Sequence, residues 1–338
     1  MVRLKDVAYL AGYDISTVSK VLQGGKIHAS EEARQRIQKA ADELGYRPNL
    51  AARALRTRRS GAVVMAFPQF GNPVHPALTQ GAEAAAARLG QALLVYKYPE
   101  SGATEALLNL VLQGRADGII MSDDLPEPDF LESAAASKVP IVTLNRQVGE
   151  SMPSVVLDDE EGFSVQASYL LGLGHTDIVF VAMHPESQTS QFCLATFLET
   201  CATAGNPIPP ERILSCLYDG SDAQQATRAI LAMHPRPTAI ATASLFSAVR
   251  IIQGLTEAGL RVPHDISVMG YHDSPMAEWS TPQTTTIRMP SIEQGARSVE
   301  RLCALIAGEP GDMQEIVSTP IMVVERGSCA RVKPKKKT

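Results

Sequence analysis

The sequence predicts a small all-α helix-turn-helix domain at the N-terminus, followed by an α/β body of two similar lobes with parallel sheets. In residues 1–45, apolar side chains recur at the spacing of short helices, and the helices end at glycines. From residue 61 onward, short apolar runs typical of buried strands alternate with helical stretches, which indicates parallel sheets covered by helices.

The balance of charge also changes near residue 60. Residues 1–60 contain twelve basic and six acidic residues, whereas residues 61–330 contain fourteen basic and thirty acidic residues. A basic head on an acidic body is typical of a nucleic-acid-binding domain joined to a domain with another task.

The composition excludes several classes of protein. A chain of 338 residues has room for two or three domains. The longest apolar runs, such as AVVMAF, are too short to cross a membrane, and the N-terminus MVRLKDVAYLAGYD lacks the apolar core of a signal peptide. We therefore expect a cytoplasmic protein with no membrane partner. The five cysteines show no CxxC spacing, so neither a disulfide framework nor a zinc site is predicted, and we expect no metal and no cofactor.

Three short helices are predicted in the head. The first ends at Gly12, and the second covers residues 15–22 after a cap at Asp14. The third begins after a cap at Ser30 and ends at Gly45. The inward-facing apolar positions are Leu4, Val7, Ala8, Ala11, Val18, Val21, Leu22, Ala33, Ile37, Ala40, Ala41 and Leu44. Two short helices joined by a tight turn with glycine form a helix-turn-helix, although a plain three-helix bundle would show the same features.

The second helix of this motif would enter the major groove of DNA with its first residues facing the base edges. Three of these residues are free of the predicted core. Ile15 can contact a thymine methyl group, Ser16 can bond several bases, and Lys20 can reach guanine acceptors. Thr17 and Ser19 are better placed to bind phosphates, which fix the position of a protein on DNA without specifying sequence.

The segment at residues 47–60 is basic and is predicted to be a hinge. Pro48 rules out a continuation of the third helix, and Asn49 can cap a short helix from Leu50 to about Arg56. So short a helix is marginal in isolation, because helix nucleation is costly, and it should form only with a partner helix and DNA. The alternative is a flexible basic linker.

The body predicts two α/β lobes with a ligand cleft between the ends of their strands. Strand-like runs begin with AVVMAF at residues 62–67 and end with DISVMGY at residues 265–271, and helical stretches separate them. The sequence has no GxSxG, no GxxxxGK[ST] and no GxGxxG after a strand, so no enzyme activity is predicted. A Ser-His-Asp triad remains compatible with the sequence alone, because such triads assemble across a fold.

Long motifs in both parts resemble the lactose-repressor (LacI/GalR) family of bacterial transcription regulators. In the head these are LKDVAYLAGYDISTVSKVL and ELGYRPNLAARALR. In the body they are FGNP, ADGII, VPIV, LGLGH, RPTAIA, VPHDISVMGYHD and TTTIRMP. The resemblance implies a type I periplasmic-binding-protein-like body with two lobes, and a regulator, such as a repressor, that binds a pseudo-palindromic DNA operator as a homodimer. The chain departs from the family at Asp14, Lys20 and Gln23, where Ser, Arg and Asn are usual.

The resemblance also assigns DNA contacts to the hinge. It implies that paired hinge helices enter the minor groove and that Leu55 wedges between the central bases. The implied contacts of this segment are Asn49, Ala52, Arg53, Leu55 and Arg56.

The resemblance further implies an effector site in the cleft. Position by position, its residues are Val74, His75, Ser122, Asn145, Arg146, Cys193, Ser244 and His272. Cys193 stands where sugar-binding members carry Arg, and His272 stands where they carry an Asp that grips sugar hydroxyls. These departures remove groups that a pyranose needs, so we expect an effector other than an ordinary neutral sugar. One possibility is an effector with an acid group paired by His75, Arg146 or His272.

Two other readings stay open at this point. One is a DNA-binding regulator controlled by a protein partner, with no small effector. The other is a small-molecule binding protein whose basic head has no regulatory role.

The predicted domains are a helix-turn-helix domain at 1–46, a hinge at 47–60, an effector-binding and dimerisation domain at 61–331 and a basic tail at 332–338. The N-lobe would comprise about 61–160 and 290–318, and the C-lobe about 161–289 and 319–331. No leucine heptad follows the last lobe, so we expect a dimer rather than a higher oligomer.

Overall fold

The structure of the chain is a computed structural model. It describes residues 2–22, 29–47, 57, 59–122, 129–144, 152–183, 188–217, 219–318 and 320–332, with the backbone alone at 188 and 189. The chain divides into two compact units, Met1–Ser60 and Gly61–Thr338.

The head contains the three predicted helices. They are α1 (Leu4–Ala11), α2 (Ile15–Leu22) and α3 (Glu31–Glu43). Gly12 closes α1 with a φ of 75°, a conformation that glycine adopts without strain. The Ser30 side chain accepts a hydrogen bond from the backbone N–H of Ala33 and so caps α3 as predicted. A core of small and branched side chains holds the helices together; its buried members are Val7, Ala8, Ala11, Val18, Ile37, Ala40 and Ala41.

The body contains two six-stranded sheets. The strands in chain order are β1 (Ala62–Phe67), β2 (Ala92–Lys97), β3 (Ile119–Met121), β4 (Ile141–Leu144), β5 (Ser154–Leu157), β6 (Ile178–Ala182), β7 (Ile213–Ser215), β8 (Ala239–Thr242), β9 (Ser267–Tyr271), β10 (Thr285–Arg288), β11 (Gln314–Val317) and β12 (Met322–Val324). The first sheet has the order β11-β5-β4-β3-β1-β2 and the second has the order β12-β10-β9-β8-β6-β7. All pairings are parallel except β10 with β12. The predicted fold class, a helix-turn-helix head with a two-lobed parallel α/β body, is confirmed.

Helices cover both sheets. They are α4 (His75–Arg88), α5 (Ala103–Leu112), α6 (Phe130–Ser137), α7 (Asp159–Gly172), α8 (Gln188–Thr203), α9 (Ala223–Ala232), α10 (Leu245–Glu257), α11 (Met276–Trp279) and α12 (Ser291–Ala307), with a 3-10 turn at Pro210–Arg212. Two buried glutamines fasten helices to sheets. Gln166 of α7 donates to the carbonyl of Thr242 in the second sheet, and Gln294 of α12 donates to the carbonyl of Val155 in the first.

The chain passes between the two sheets three times. It crosses after β5, after β10 and between β11 and β12. The first two crossings leave from the carboxyl ends of parallel strands, so these ends of both sheets lie beside the crossing segments. In a parallel α/β sheet this edge is where ligands bind.

The apolar run ILSCLYD at residues 213–219 predicts a strand of that length, but in the structure the strand ends at Ser215. The Asp222 carboxylate accepts the backbone N–H of Leu217 at 2.7 Å, so the backbone turns away from the sheet to reach it. The periodicity of the sequence also missed α11, α12, β10, β11 and β12, which all follow residue 271.

Helices α4 and α12 pack with their backbones almost in contact. A Cβ atom at Gly295 would lie 2.0 Å from the carbonyl oxygen of Leu78, and one at Gly81 would lie 1.8 Å from that of Ile292. Real Cβ atoms do not approach backbone oxygen so closely, so neither position accepts a side chain without separating the helices.

We expect Gly295→Ala to destabilise the body, because the added methyl group must push α12 away from α4. Overpacking of this kind typically costs about 1–3 kcal/mol. Gly172→Ala is the matched control, because a Cβ at Gly172 meets nothing within 4 Å and that glycine also lies in a helix. The midpoint of urea unfolding should fall for the first variant and stay or rise for the second. Equal midpoints for Gly295→Ala and the wild type would contradict the close approach.

Candidate functional site

The exposed face of α2 carries the side chains predicted to reach DNA bases. Ile15 is 52% exposed, and Ser16 and Lys20 are also exposed. Thr17 and Ser19 are half-buried, and each has an interaction within the head. Val18 is fully buried against the head core, which orients the helix so that the other face points outward.

Asp14 organises the first turn of α2. Its Oδ1 accepts the Ser16 hydroxyl at 2.6 Å and the backbone N–H of Thr17 at 2.9 Å, and its Oδ2 accepts the Thr17 hydroxyl at 2.5 Å. The hydrogen bonds from Ser16 and Thr17 hold the pKa of the Asp14 carboxyl well below its usual range. Asp14 therefore stays ionised and caps the helix, as the sequence predicted.

Several predicted contacts lie outside the described residues. These are the hinge residues Asn49, Ala52, Arg53, Leu55 and Arg56, and the cleft residues Asn145 and Arg146.

In the body, Tyr271 at the end of β9 contacts the first turn of α7, the helix that follows β5. Its hydroxyl donates to Asp159 Oδ1 at 3.0 Å, and its ring stacks on Phe163 with the centroids 3.9 Å apart. A Cβ atom at Gly162 would lie 2.1 Å from the Tyr271 hydroxyl oxygen, so glycine at that position makes the contact possible. Burial raises the pKa of Asp159 to about 6 and also raises the pKa of Tyr271.

His272 follows Tyr271 with a left-handed backbone, at a φ of 63°. Such a conformation is uncommon for a residue other than glycine and often marks a functional position. Burial lowers the pKa of His272 to about 4, so the imidazole is neutral near pH 7. Its Nδ1 is inaccessible to solvent and makes no hydrogen bond within the described part of the chain. A neutral imidazole can bind a hydroxyl or an amide, whereas ionic pairing with an acid group would have to reverse the effect of burial.

Asp273 fixes the loop on the other side of His272. It accepts hydrogen bonds from Thr286 Oγ1 at 2.7 Å, Arg288 Nη2 at 2.7 Å and Arg326 Nη1 at 2.8 Å. Burial opposes ionisation, but these bonds outweigh it and lower the pKa of the Asp273 carboxyl. Arg326 follows β12 and is itself buried, so Asp273 connects the loop to both β10 and β12. Its carboxylate is occupied by structural contacts.

The remaining predicted cleft residues lie at the carboxyl edges of the two sheets. Val74 and His75 follow β1, Ser122 follows β3, and all three are buried. The His75 ring stacks on Phe67 with the centroids 3.9 Å apart. Ser244 follows β8, and its Oγ accepts the backbone N–H of Ser247, so it also caps α10.

Cys193 on α8 is buried near Tyr271 and Asp159. Burial and the charge of Asp159 raise the pKa of its thiol above the ordinary range, so the thiol is neutral. Around Tyr271 the structure thus gathers Cys193, Asp159 and His272, while Val74, His75 and Ser122 lie at the edge of the first sheet. Sequence reasoning missed Asp159 and Tyr271, although an acidic pair directly after the buried run SVVL was a usable signal.

A cavity of about 470 Å³ lies elsewhere, at the amino ends of β6 and β7. Arg212 is its most buried cation. Its guanidinium pairs with Asp177 at 2.9 Å and donates to the carbonyl of Pro235 at 2.6 Å. These bonds give Arg212 a structural role in holding together the segments that line the cavity.

Comparison with known proteins identifies the family. Residues 3–49 match the model of bacterial regulatory proteins of the lacI family, and residues 167–329 match a periplasmic binding protein-like domain. The chain is 30% identical over 329 residues to the HTH-type transcriptional repressor PurR of Vibrio campbellii. The aligned residues make up 96% of this chain and 98% of that repressor. The chain belongs to the LacI family.

Other members of the LacI family agree with this assignment. The HTH-type transcriptional regulator MalR of Streptomyces coelicolor is 31% identical, over 97% of this chain and 96% of the regulator. A solved structure of the Lac repressor dimer bound to operator and the anti-inducer ONPF has a TM-score of 0.78 and 28% identity, over 97% of this chain and 99% of that chain. The chain is therefore a DNA-binding transcription regulator with an effector-binding domain, and its relatives are regulators rather than enzymes.

The described residues contain no helix long and apolar enough to cross a membrane. They also contain no group of three or more His, Cys, Asp or Glu side chains arranged to hold a metal ion.

We expect His272→Asn and Asp159→Asn to change the pH dependence of stability in opposite directions. The His272 pKa of about 4 lies below its ordinary 6.5, so the unfolded chain binds the proton more tightly and the wild type loses stability as the pH falls from about 6.5 to 4. The Asp159 pKa of about 6 lies above its ordinary 3.8, so the wild type loses stability as the pH rises from about 4 to 6. Asn is chosen at 272 because it tolerates the left-handed backbone.

Urea unfolding at intervals between pH 4 and 7 tests both expectations. Relative to the wild type, His272→Asn should gain stability as the pH falls, and Asp159→Asn should gain stability as the pH rises. A stability difference from the wild type that does not vary with pH would contradict the assignment for that residue.

Proposed function

We propose that the chain is a homodimeric repressor that binds a pseudo-palindromic operator and that a small effector in the interlobe cleft changes its operator affinity. The observation that supports this most directly is the exposed face of α2, on which Ile15, Ser16 and Lys20 point away from the head core. A helix presented in this way can enter the major groove. The proposed domains are the helix-turn-helix at 1–46, the hinge at 47–60 and the effector domain at 61–331.

The proposed DNA contacts divide by groove. Ile15, Ser16 and Lys20 read base edges in the major groove, and Thr17 and Ser19 lie beside the phosphates. The hinge contacts proposed for the minor groove are Asn49, Ala52, Arg53, Leu55 and Arg56. An apolar Leu55 with arginines around it suits the insertion of a wedge into a kinked minor groove.

The proposed effector site contains Val74, His75, Ser122, Asn145, Arg146, Cys193, Ser244 and His272. In the described part of this set, burial favours the uncharged forms of Cys193 and His272. A neutral thiol and a neutral imidazole offer far fewer hydrogen bonds than the Arg and Asp of sugar-binding relatives. This supports an effector that is not an ordinary neutral sugar, because each buried sugar hydroxyl needs a partner.

The edge strand β2 supports dimerisation. Leu94 is 40% exposed and Val95 is 45% exposed, although they lie on opposite faces of the strand. An apolar edge strand of this kind is normally covered by another chain or protected against pairing. A second copy of this chain is the proposed cover, and the similar Lac repressor structure is that of a dimer.

We expect Lys20→Ala and Leu55→Ala each to weaken binding to a selected operator about tenfold or more, which is the usual effect of removing one base contact. The operator is first selected from random duplexes with the full chain. Arg228→Ala is the matched control, because Arg228 is an exposed cation on the body and its loss should leave affinity unchanged. Affinity and its salt dependence are measured by fluorescence anisotropy, and the stoichiometry should be two chains per duplex.

Two outcomes would contradict this proposal. Equal binding of the same duplex by a chain lacking residues 1–60 would place the DNA site outside the head. One chain per duplex at saturation would exclude the homodimer.

We also expect His272→Asn to weaken effector binding while leaving operator affinity without effector nearly unchanged, because His272 lies in the body and not in the head. The effector is found by screening metabolites for those that shift operator affinity of the wild type. Calorimetry then measures its dissociation constant for both chains, and equal constants would refute the role of His272. A screen in which no metabolite shifts operator affinity would favour control by a protein partner.

A further inference from the structure

The carboxylate of Asp14, the residue directly before α2, accepts hydrogen bonds from the hydroxyl groups of Ser16 and Thr17, two of the proposed DNA contacts. Ser16 Oγ lies 2.6 Å from Asp14 Oδ1, and Thr17 Oγ1 lies 2.5 Å from Asp14 Oδ2. Both distances are those of strong hydrogen bonds to an ionised acceptor. Asp14 and Ser16 are exposed on the face of α2 that is free of the core.

The direction of these hydrogen bonds follows from simple chemistry. An ionised carboxylate has no proton and can only accept, whereas a hydroxyl has a single proton and two lone pairs. The Ser16 and Thr17 hydroxyls must therefore donate their protons to Asp14. Each hydroxyl oxygen can offer only its lone pairs to a further partner.

We propose that Asp14 makes Ser16 a hydrogen-bond acceptor and so restricts it to bases that present a donor in the major groove. Those donors are the N6 amino group of adenine and the N4 amino group of cytosine. Guanine and thymine present no hydrogen-bond donor in the major groove, so an acceptor-only Ser16 disfavours both at the contacted position. This inference rests on the proposed function, and it adds the class of base that one side chain recognises.

The same geometry changes the role expected for Thr17. A phosphate oxygen is an acceptor, so a hydroxyl whose proton is bound by Asp14 cannot donate to it. The carboxylate also repels nearby phosphates, which lowers affinity for all duplexes alike. Asp14 thus favours selectivity by Ser16 at the expense of a contact between Thr17 and the DNA backbone.

The cap of α3 shows what a serine in place of Asp14 should do. Ser30 caps α3 with a neutral hydroxyl that accepts the backbone N–H of Ala33 at 3.2 Å. Asp14→Ser should cap α2 in the same way, because serine and aspartate are comparable caps. It would leave the hydroxyls of Ser16 and Thr17 free to donate or to accept.

The experiment selects operators from a random duplex library with the full-length wild type, Asp14→Ser, Ser16→Ala and the double variant. We expect the wild type to select adenine or cytosine at one position in each half-site, with guanine and thymine each disfavoured about tenfold or more. Ser16→Ala should lose the preference at that position alone. Asp14→Ser should accept guanine there and should bind random duplexes more tightly than the wild type.

The double variant separates the proposal from a general effect on folding. If Asp14 acts through the Ser16 hydroxyl, Asp14→Ser in the Ser16→Ala background should produce no further change in base preference. Equal helix content by circular dichroism and equal enrichment at the other operator positions confirm that each head is folded.

Several results would overturn the inference. An unchanged exclusion of guanine by Asp14→Ser would show that the carboxylate does not set the preference. An unchanged consensus for Ser16→Ala would show that Ser16 reads no base. If the wild type enriches no sequence, the proposed function itself is wrong, and this inference falls with it.

Discussion

The contact between Tyr271 and the first turn of α7 fastens the end of β9 to the segment that follows β5. The chain crosses between sheets directly after β5, and the hydroxyl of Tyr271 bonds to Asp159 in that crossing. Phe163 stacks on the ring, and the absence of a side chain at Gly162 lets the hydroxyl approach. With Tyr271 fixed on one side and Asp273 bound to Arg288 and Arg326 on the other, the intervening His272 has little freedom of position.

Burial gives the groups around Tyr271 a common property, which is a preference for the uncharged state. It lowers the pKa of His272 and raises those of Cys193 and Asp159. The effector proposed to bind among these groups should be neutral or should supply its own counter-charge, because an unpaired ion is costly in a buried site.

The sequence predicted the fold well where a local pattern decides the structure. The head helices follow from apolar spacing and caps, and most body strands through β9 follow from continuous apolar runs. It predicted less where a distant partner decides. The roles of Asp273 depend on Arg326, 53 residues away, and no local pattern indicates that pair. Asp14 illustrates a different limit, because the sequence identified it as a cap equivalent to serine, whereas its hydrogen bonds to two neighbouring hydroxyls became evident only from the side-chain geometry.

The bond between Asp273 and Arg326 has a consequence for the order in which the protein is made. Ribosomes synthesise a chain from its N-terminus, so Asp273 emerges 53 residues before the arginine that neutralises it. During that interval a carboxylate that ends up buried lacks its ion pair with Arg326, and β10 lacks its pairing with β12. The second lobe can therefore reach its final form only after most of the first lobe has been able to fold. The loop around Asp273 is therefore among the last parts of the newly made chain to reach its final structure.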